Sequence, residues 1–527
     1  MKTPRPFICA FSLLLLLIPA VSAQTCSLGT TNLLEAPPAG SDSVVLSVEP
    51  TSATWTAKAN AAWLYLSAAN QSGTGSANVI FTFAANSGVT RTGTLTIAGQ
   101  TLTVSQAGSS YVATTNVTTL VSSGLNQPDG VAVDSAGNVY IGDTFNNAVK
   151  EWSVASNTVT TLVSSGLNQP FGVAVDGMGN VYIADLGHNA IKEWMAASNT
   201  VTTLVSPGLI GPYGVAMDST GNIYFPDGNA IKKWTAASNA VTTLVSSGLN
   251  RPGGVAVDRA GNVYIADTFN SAIKEWSAVS NTVTTLVSSG LNYPYGVAVD
   301  GAGNVYIAGN TENVINVWSA ASNMVTTLVS SGLSYPEGVA VDGAGNIYIA
   351  DAFFDPTFTN AIKELPHAFV DATVKVETPI AGSDALPVVL PVTANLTGPF
   401  APVSDSDWLT ITGSTNSVVS FAFTANTTGK IRSANITLLG QTIPITQAPV
   451  TPPILTGFTV LDNGSFQFGF NNNQSAAFTV LTTTNLLLPL TNWTVLGAPT
   501  NHGSGQYQFT DLTATNGGQR FYRVRSP

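Results

Sequence analysis

The element Gly-Val-Ala-x-Asp occurs six times, starting at Gly130, Gly172, Gly214, Gly254, Gly296 and Gly338, at intervals of 42, 42, 40, 42 and 42 residues. A fixed period of about 40 residues built only from strand-like segments restricts the chain to stacked sheets, as in a propeller or an array. Each unit offers four strands, which in the second copy fall at 172–176, 180–184, 190–194 and 201–205, with Gly, Asn or Pro at the junctions. The first and second strands are apolar on both faces, which suits sheets sandwiched between neighbours. Ile191 and Trp194 of the third strand are three apart rather than two; burial on both sides or a bulge would accommodate that spacing. The sixth unit stops at 361–365 without a fourth strand, while an orphan strand at 117–121 precedes the first unit. Pairing the two would close a ring of six and remove the open edges that invite aggregation.

A second repeat flanks the first. The stretch PPAGSDSVVLSVEP (37–50) matches PIAGSDALPVVLPV (379–392), and the W-L strands at Trp63 and Trp408 and the segments GQTLTVSQAG (99–108) and GQTIPITQAP (440–449) match in turn. Two copies of one β-sandwich-like module therefore bracket the array. Trp63 and Trp408 read as core residues of their strands. Thr451-Pro452-Pro453 reads as a linker, and QRFYRVRSP at the end reads as a closing strand.

The P-x-G-V-A-V-D, G-N-V-Y-I-A-D and N-A-I-K segments resemble NHL repeats, and are similar to the six-bladed extracellular sensor propellers of bacterial serine/threonine kinases. The flanking modules resemble BACON domains through the W-L motif, the F-x-F strand and the Q-T-x-x-x-x-Q-A ending. The C-terminal module resembles a fibronectin-III-like sandwich. These resemblances imply an all-β chain divided into a leader (1–23), a BACON-like sandwich (24–108), a six-bladed propeller (109–365), a second BACON-like sandwich (366–450) and a fibronectin-III-like module (451–527). NHL propellers bind proteins, peptides or other ligands, and related propellers include lyases and lactonases. The BACON family was proposed to bind carbohydrate.

Lys2 and Arg5, the apolar run 7–18 and Val21-Ser22-Ala23 have the pattern of a secretory signal, and no later segment reaches about 18 apolar residues. An exported, secreted or cell-surface protein of bacterial type with no transmembrane segment is expected. Cleavage after Ala23 leaves Cys26 as the only cysteine, which excludes a disulfide framework. A net charge of -11 without a basic cluster argues against nucleic acid as a partner.

Each unit also carries a D-x-x-G-N turn, and five of six carry a second Asp after the second strand: Asp143, Asp185, Asp227, Asp267 and Asp351, with Gly309 in the fifth unit. Asp134-Ser135-Ala136-Gly137-Asn138 supplies one carboxylate, one amide and no distal Glu, too few ligands for a calcium loop. Asp is expected to start the turn and Gly to take the positive φ. The second aspartates are expected to cap the loop into the third strand. Zinc- or histidine-dependent chemistry needs convergent His residues, and the chain has His188, His367 and His502, of which only His188 lies in a unit's loop. No G-x-S-x-G elbow or Cys–His pair occurs. No metal, no cofactor and no catalytic residue is expected.

Comparison between units separates scaffold from specificity. The first-to-second and third-to-fourth turns are nearly uniform, whereas the opposite face varies. Before the invariant Gly stand Asp129, Phe171, Tyr213, Gly253, Tyr295 and Glu337; before the Pro stand Gln127, Gln169, Gly211, Arg251, Tyr293 and Tyr335. The second-to-third loops add Phe145, His188, Phe269, Phe353 and Phe354. Aromatic rings offer large contact area at low entropic cost, so Asp129, Phe145, Phe171, His188, Tyr213, Arg251, Phe269, Tyr293, Tyr295, Tyr335 and Glu337 form the expected ligand-binding face. The expected partner is an extracellular protein, peptide or polysaccharide. The alternatives are a carbohydrate-binding accessory protein acting through the BACON-like modules, and a propeller-type lyase or lactonase.

Overall fold

Six four-stranded antiparallel sheets surround one axis in the computed structural model, which describes residues 24–352, 360–450, 452–472, 477–514 and 518–525. The leader and Phe353 and Phe354 lie outside the described residues. In the second blade the strands are Pro170–Val175, Val181–Asp185, Ala190–Met195 and Thr200–Val205, within two residues of the expected spans. The second strand of every blade is buried throughout, as its apolar character on both faces requires. The third strand uses both options open to it. Ile191 and Trp194 are buried, and the pairing with the fourth strand shifts register between Ile191 and Lys192.

Closure joins Thr118–Val121, antiparallel, to Ala361–Leu365, so the sixth blade takes its outer strand from ahead of the first. At the axis the invariant glycines pack against one another. A Cβ on Gly172 would meet the Gly214 Cα at 2.8 Å, and one on Gly338 would meet the Asp129 carbonyl oxygen at 2.5 Å. No side chain fits there, which is why every copy keeps Gly.

The D-x-x-G-N turns are held by their own side chains. Asp176 Oδ1 accepts from the backbone N–H of Met178 (2.8 Å) and of Asn180 (2.9 Å), and Gly179 has φ +81°. Asn180 then ties the turn to its neighbour, its Oδ1 accepting from the Ala196 N–H at 3.0 Å.

Both flanking modules are two-sheet sandwiches in which an early strand pairs in parallel with the last: Asn32–Glu35 with Gln100–Gln106, and Lys375–Glu377 with Gln441–Gln447. The repeated Q-A ending has a structural cause. Gln106 and Gln447 are fully buried, accept from Arg91 and Arg432 through Oε1 (2.9 and 2.8 Å to Nε), and donate to backbone carbonyls. The same arginines lie over Trp63 and Trp408, 4.4 and 4.1 Å from the ring centroids. Both indoles are half-buried rather than fully in the core, because each rests along the strand carrying its arginine. The last module is a further pair of sheets, closed by Phe521–Arg525 against Thr479–Thr483.

The modules dock on the uniform-turn face of the propeller. Ser43 Oγ donates to the Ala302 carbonyl (2.6 Å), the Val45 N–H donates to Gly301 O (3.0 Å), and Arg259 Nε donates to Ser27 Oγ (3.1 Å). Ala302, Gly301 and Arg259 all belong to D-x-x-G-N turns. A Cβ on Gly29 would lie 2.4 Å from Gly301 O, so this contact is backbone against backbone. The second module brings Gly398 against Asn157 of a third-to-fourth turn.

Candidate functional site

The opposite face begins at the second aspartates. Asp185 Oδ1 accepts from the backbone N–H of Asn168 (2.7 Å), and its Oδ2 lies 2.5 Å from Lys192 Nζ and 2.8 Å from His188 Nδ1. The same arrangement joins Asp143 to Lys150 (2.6 Å), Asp227 to Lys232 (2.5 Å), Asp267 to Lys274 (2.7 Å) and Asp351 to Lys363 (2.5 Å). Asp143, Asp185 and Asp267 make no side-chain hydrogen bond to the backbone of the turn that follows; all five aspartates hold the segment entering the blade and neutralise a lysine of the third strand. The expected cap to the loop is thus made through its side chains, with Asn146, His188 and Asn270 each 2.8 Å from Asp143, Asp185 and Asp267, and not through its backbone. The pairing was visible in the sequence, because the fifth unit loses both partners together, with Gly309 and Asn316 in their places.

Above this framework the expected binding residues divide into two groups. Phe171, Tyr213 and Tyr295 turn toward the axis and pack on one another. Phe171 and Tyr213 meet edge-on at 5.4 Å, Tyr213 and Tyr295 edge-on at 6.2 Å, and Phe171 and Tyr295 at 5.5 Å with a tilt of 40°. Gly253 completes the ring with no side chain, and Tyr295 leans over it, its Cδ1 3.3 Å from where a Cβ would stand. All three rings are half-buried.

Asp129 and Glu337 occupy the remaining two positions, on the adjacent first and sixth blades. Neither is part of an exposed rim, as their variability had suggested: they are only 2% and 5% exposed, because they point into the channel mouth rather than away from it. With the three rings they line a cavity of about 60 Å³ on the axis. Among the described residues, neither oxygen of Asp129 accepts a hydrogen bond, nor does Glu337 Oε2 or the Oε1 of nearby Gln127. Thr144 and Gln127 lie close enough to favour the Asp129 charge, but the Thr144 hydroxyl donates to the Pro170 carbonyl at 2.9 Å. Asn310 Nδ2 donates to the other Glu337 oxygen at 2.6 Å. Burial pushes the Asp129 carboxyl up to about 7, and burial together with the Asp129 charge holds Glu337 well above the usual carboxylate range.

The second group lies outside the mouth. Phe269 and Tyr293 meet edge-on at 5.3 Å, and the Arg251 guanidinium stands 5.3 Å over the Phe269 ring. Phe269 and Tyr293 are 47% and 42% exposed, and Phe145 is 45% exposed farther round the rim. Tyr293, just ahead of the strand Pro294–Val299, and Tyr295, on it, therefore serve different groups. Tyr335 is half-buried beside Glu337, whose charge, after burial, raises its phenol. His188 is exposed on the rim and bound to Asp185.

Ile210 was missed by the sequence reading. It is 78% exposed where the other units have Asn or Ser, and that substitution between copies was its signal. Also missed was a second cavity, of about 330 Å³, where the first flanking module meets the propeller. It is lined by Glu35, Asp42, Asn304, Tyr306 and His367, and its residues come together only through docking.

Three family profiles match the chain. The BACON profile, a family proposed to be an N-terminal binding domain, matches 53–107 and 401–448; a beta-propeller repeat profile, SBBP, matches 285–316; and the NHL repeat profile matches 249–276. No curated protein sequence matches. Among solved structures, a protein of unknown function from Bacteroides thetaiotaomicron is 17% identical, with 66% of this chain and 98% of that one covered and a TM-score of 0.43. A gluconolactonase from Xanthomonas campestris is 16% identical over 47% and 89%, with a TM-score of 0.41. A virginiamycin B lyase from Staphylococcus aureus is 16% identical over 49% and 87%, with a TM-score of 0.36.

Proposed function

Taking as premise a propeller with NHL-type repeats flanked by two BACON modules, we propose that this is an exported, non-catalytic binding scaffold. Its propeller presents the aromatic face to a protein, peptide or glycan outside the cell. One observation carries the reading: the module contacts described above fall on the uniform-turn face, while the face that differs from blade to blade keeps Phe145, Phe269, Tyr293 and Ile210 exposed. Apolar side chains gathered on one surface of a soluble protein mark interaction sites. The cluster of Arg251, Phe269 and Tyr293 has the aromatic and guanidinium chemistry that dominates binding energy at interfaces. The non-catalytic part of the reading rests on dispersed histidines: His188 on the rim, His367 at the module junction and His502 in the last module. The leader pattern at 1–23 supports export.

Steric masking tests this. In a background with Cys9 and Cys26 replaced by serine, Ile210→Cys and Met178→Cys each accept a bulky polyethylene-glycol maleimide. Met178 is 80% exposed in a D-x-x-G-N turn on the opposite face. Retention of the full chain on a combined peptide and glycan array is expected to fall with the label at 210 and to persist with the label at 178. The reverse pattern removes the proposal.

A further inference from the structure

The acid pair at the channel mouth is not required by the fold. At the same position the other four blades carry Phe171, Tyr213, Gly253 and Tyr295, and their sheets close equally well. Two adjacent buried carboxyls are costly unless something pairs with them. Here Asp129 Oδ1 and Oδ2, Glu337 Oε2 and Gln127 Oε1 are all buried acceptors with no donor among the described residues. What these oxygens lack is therefore a partner, and what the ionised pair lacks is a positive charge.

Resting on the reading that this face binds a partner, we propose that the mouth receives the ε-ammonium of a lysine presented by a protein or peptide, held by Asp129 and Glu337 between the rings of Phe171, Tyr213 and Tyr295. An ammonium carries three donors and no acceptor, which complements the unmet oxygens of the ionised pair. Aromatic faces attract a desolvated organic cation within about 6 Å of the ring centroid. A hard divalent ion needs six or more oxygen ligands, drawn chiefly from carboxylates, carbonyls and water, whereas the ring side of the cavity offers only aromatic surface and the phenols of Tyr213 and Tyr295. The size also discriminates. The cavity of about 60 Å³ has room for an ammonium and its first methylenes, whereas a guanidinium is a wider planar group. Glycine at 253 contributes by leaving the space that Tyr295 occupies, so the rings reach the acid pair instead of standing apart. Entry of the ammonium is coupled to proton release, since it stabilises both carboxyls in their charged form. Thr144, Gln127, Asp143, Tyr335, Asn310 and the phenols of Tyr213 and Tyr295 are the other charged or polar groups facing the pair.

The test uses the full chain and two probes. By calorimetry, Nα-acetyl-lysine amide is expected to bind with release of protons to the buffer. Nα-acetyl-norleucine amide, which has the same stem and no charge, is expected not to bind, and D129N/E337Q is expected to weaken the lysine probe roughly tenfold or more. Equal binding of the norleucine probe, or binding of calcium chloride lost in D129N/E337Q while the lysine probe stays silent, overturns the inference. Cadaverine binding as tightly as lysine inside a peptide overturns the assignment to a macromolecular partner. Panning a random peptide library on the same protein separates the two levels of the argument. Lysine-containing peptides lost in D129N/E337Q support the inference. Lysine-free peptides that depend only on Phe269 and Tyr293 overturn it and leave the binding face standing. Enrichment that depends on neither set of residues overturns both.

Discussion

Lys192 Nζ lies 2.5 Å from Asp185 Oδ2 at a site where the aspartate is fully buried, and the pair repeats in every blade but the fifth. Removing one partner of a buried pair leaves an uncompensated charge, which costs far more than the pair contributes. Lys192→Ala is expected to destabilise the propeller by about 3 kcal/mol. Asn316→Ala, in the blade with no pair, is expected to cost about 1 kcal/mol, the worth of its hydrogen bond to Thr327. Urea unfolding of the two variants, with D185N/K192M as the double substitution that restores balance, checks the difference.

The acid pair at the mouth sets a stability that falls with pH. Asp129 ionises near 4 in an unfolded chain and is pushed up to about 7 in the fold. A carboxyl shifted upward stabilises the fold fully below its unfolded value and loses that contribution as pH rises through the folded value. Glu337 is shifted in the same direction. D129N/E337Q is therefore expected to melt at the same temperature as the parent at pH 4 and a few degrees higher at pH 8, on the order of 2–4 °C per kcal/mol for a domain of this size. Thermal scans across that range are the measurement, and a lower Tm at pH 8 would falsify the burial argument.

A second pH dependence belongs to the module junction. Asp42, facing Asp300, Glu35 and Asn304, is pushed up to about 6, chiefly by burial, and Glu35 is raised well above its usual range for the same reason. Both contribute to docking below pH 4 and lose that contribution as pH rises through the folded values. His367 in the same cavity works the other way: burial lowers it, so it favours docking while neutral and opposes it as pH falls through its folded value. Hydrogen exchange corrected for intrinsic rates is expected to show faster exchange at residues 43–45 at pH 8 than at pH 6. Asp42→Asn is expected to remove most of that difference; an unchanged difference assigns it elsewhere.

The architecture was legible because a period of about 40 residues with strands alone leaves few alternatives, and because the sixth unit lacks the strand that precedes the first. The D-x-x-G-N turns were legible for the same kind of reason, since their chemistry is local to five residues. The site was legible as a set of positions and not as an arrangement. Tyr293 and Tyr295 face different surfaces, and Asp129 meets Glu337 only because the ring closes residues 208 positions apart in sequence. Which face the flanking modules cover depends on contacts such as Gly29 with Gly301, where two glycines signal nothing until they meet.

The binding face is tested most directly by F269A/Y293A in the full chain, compared with the parent on a combined peptide and glycan array at matched Tm. These two rings are exposed, so their removal is expected to leave folding intact and to lower retention roughly tenfold or more. Retention unchanged in F269A/Y293A but lost in W63A/W408A would contradict the proposal and move binding to the flanking modules.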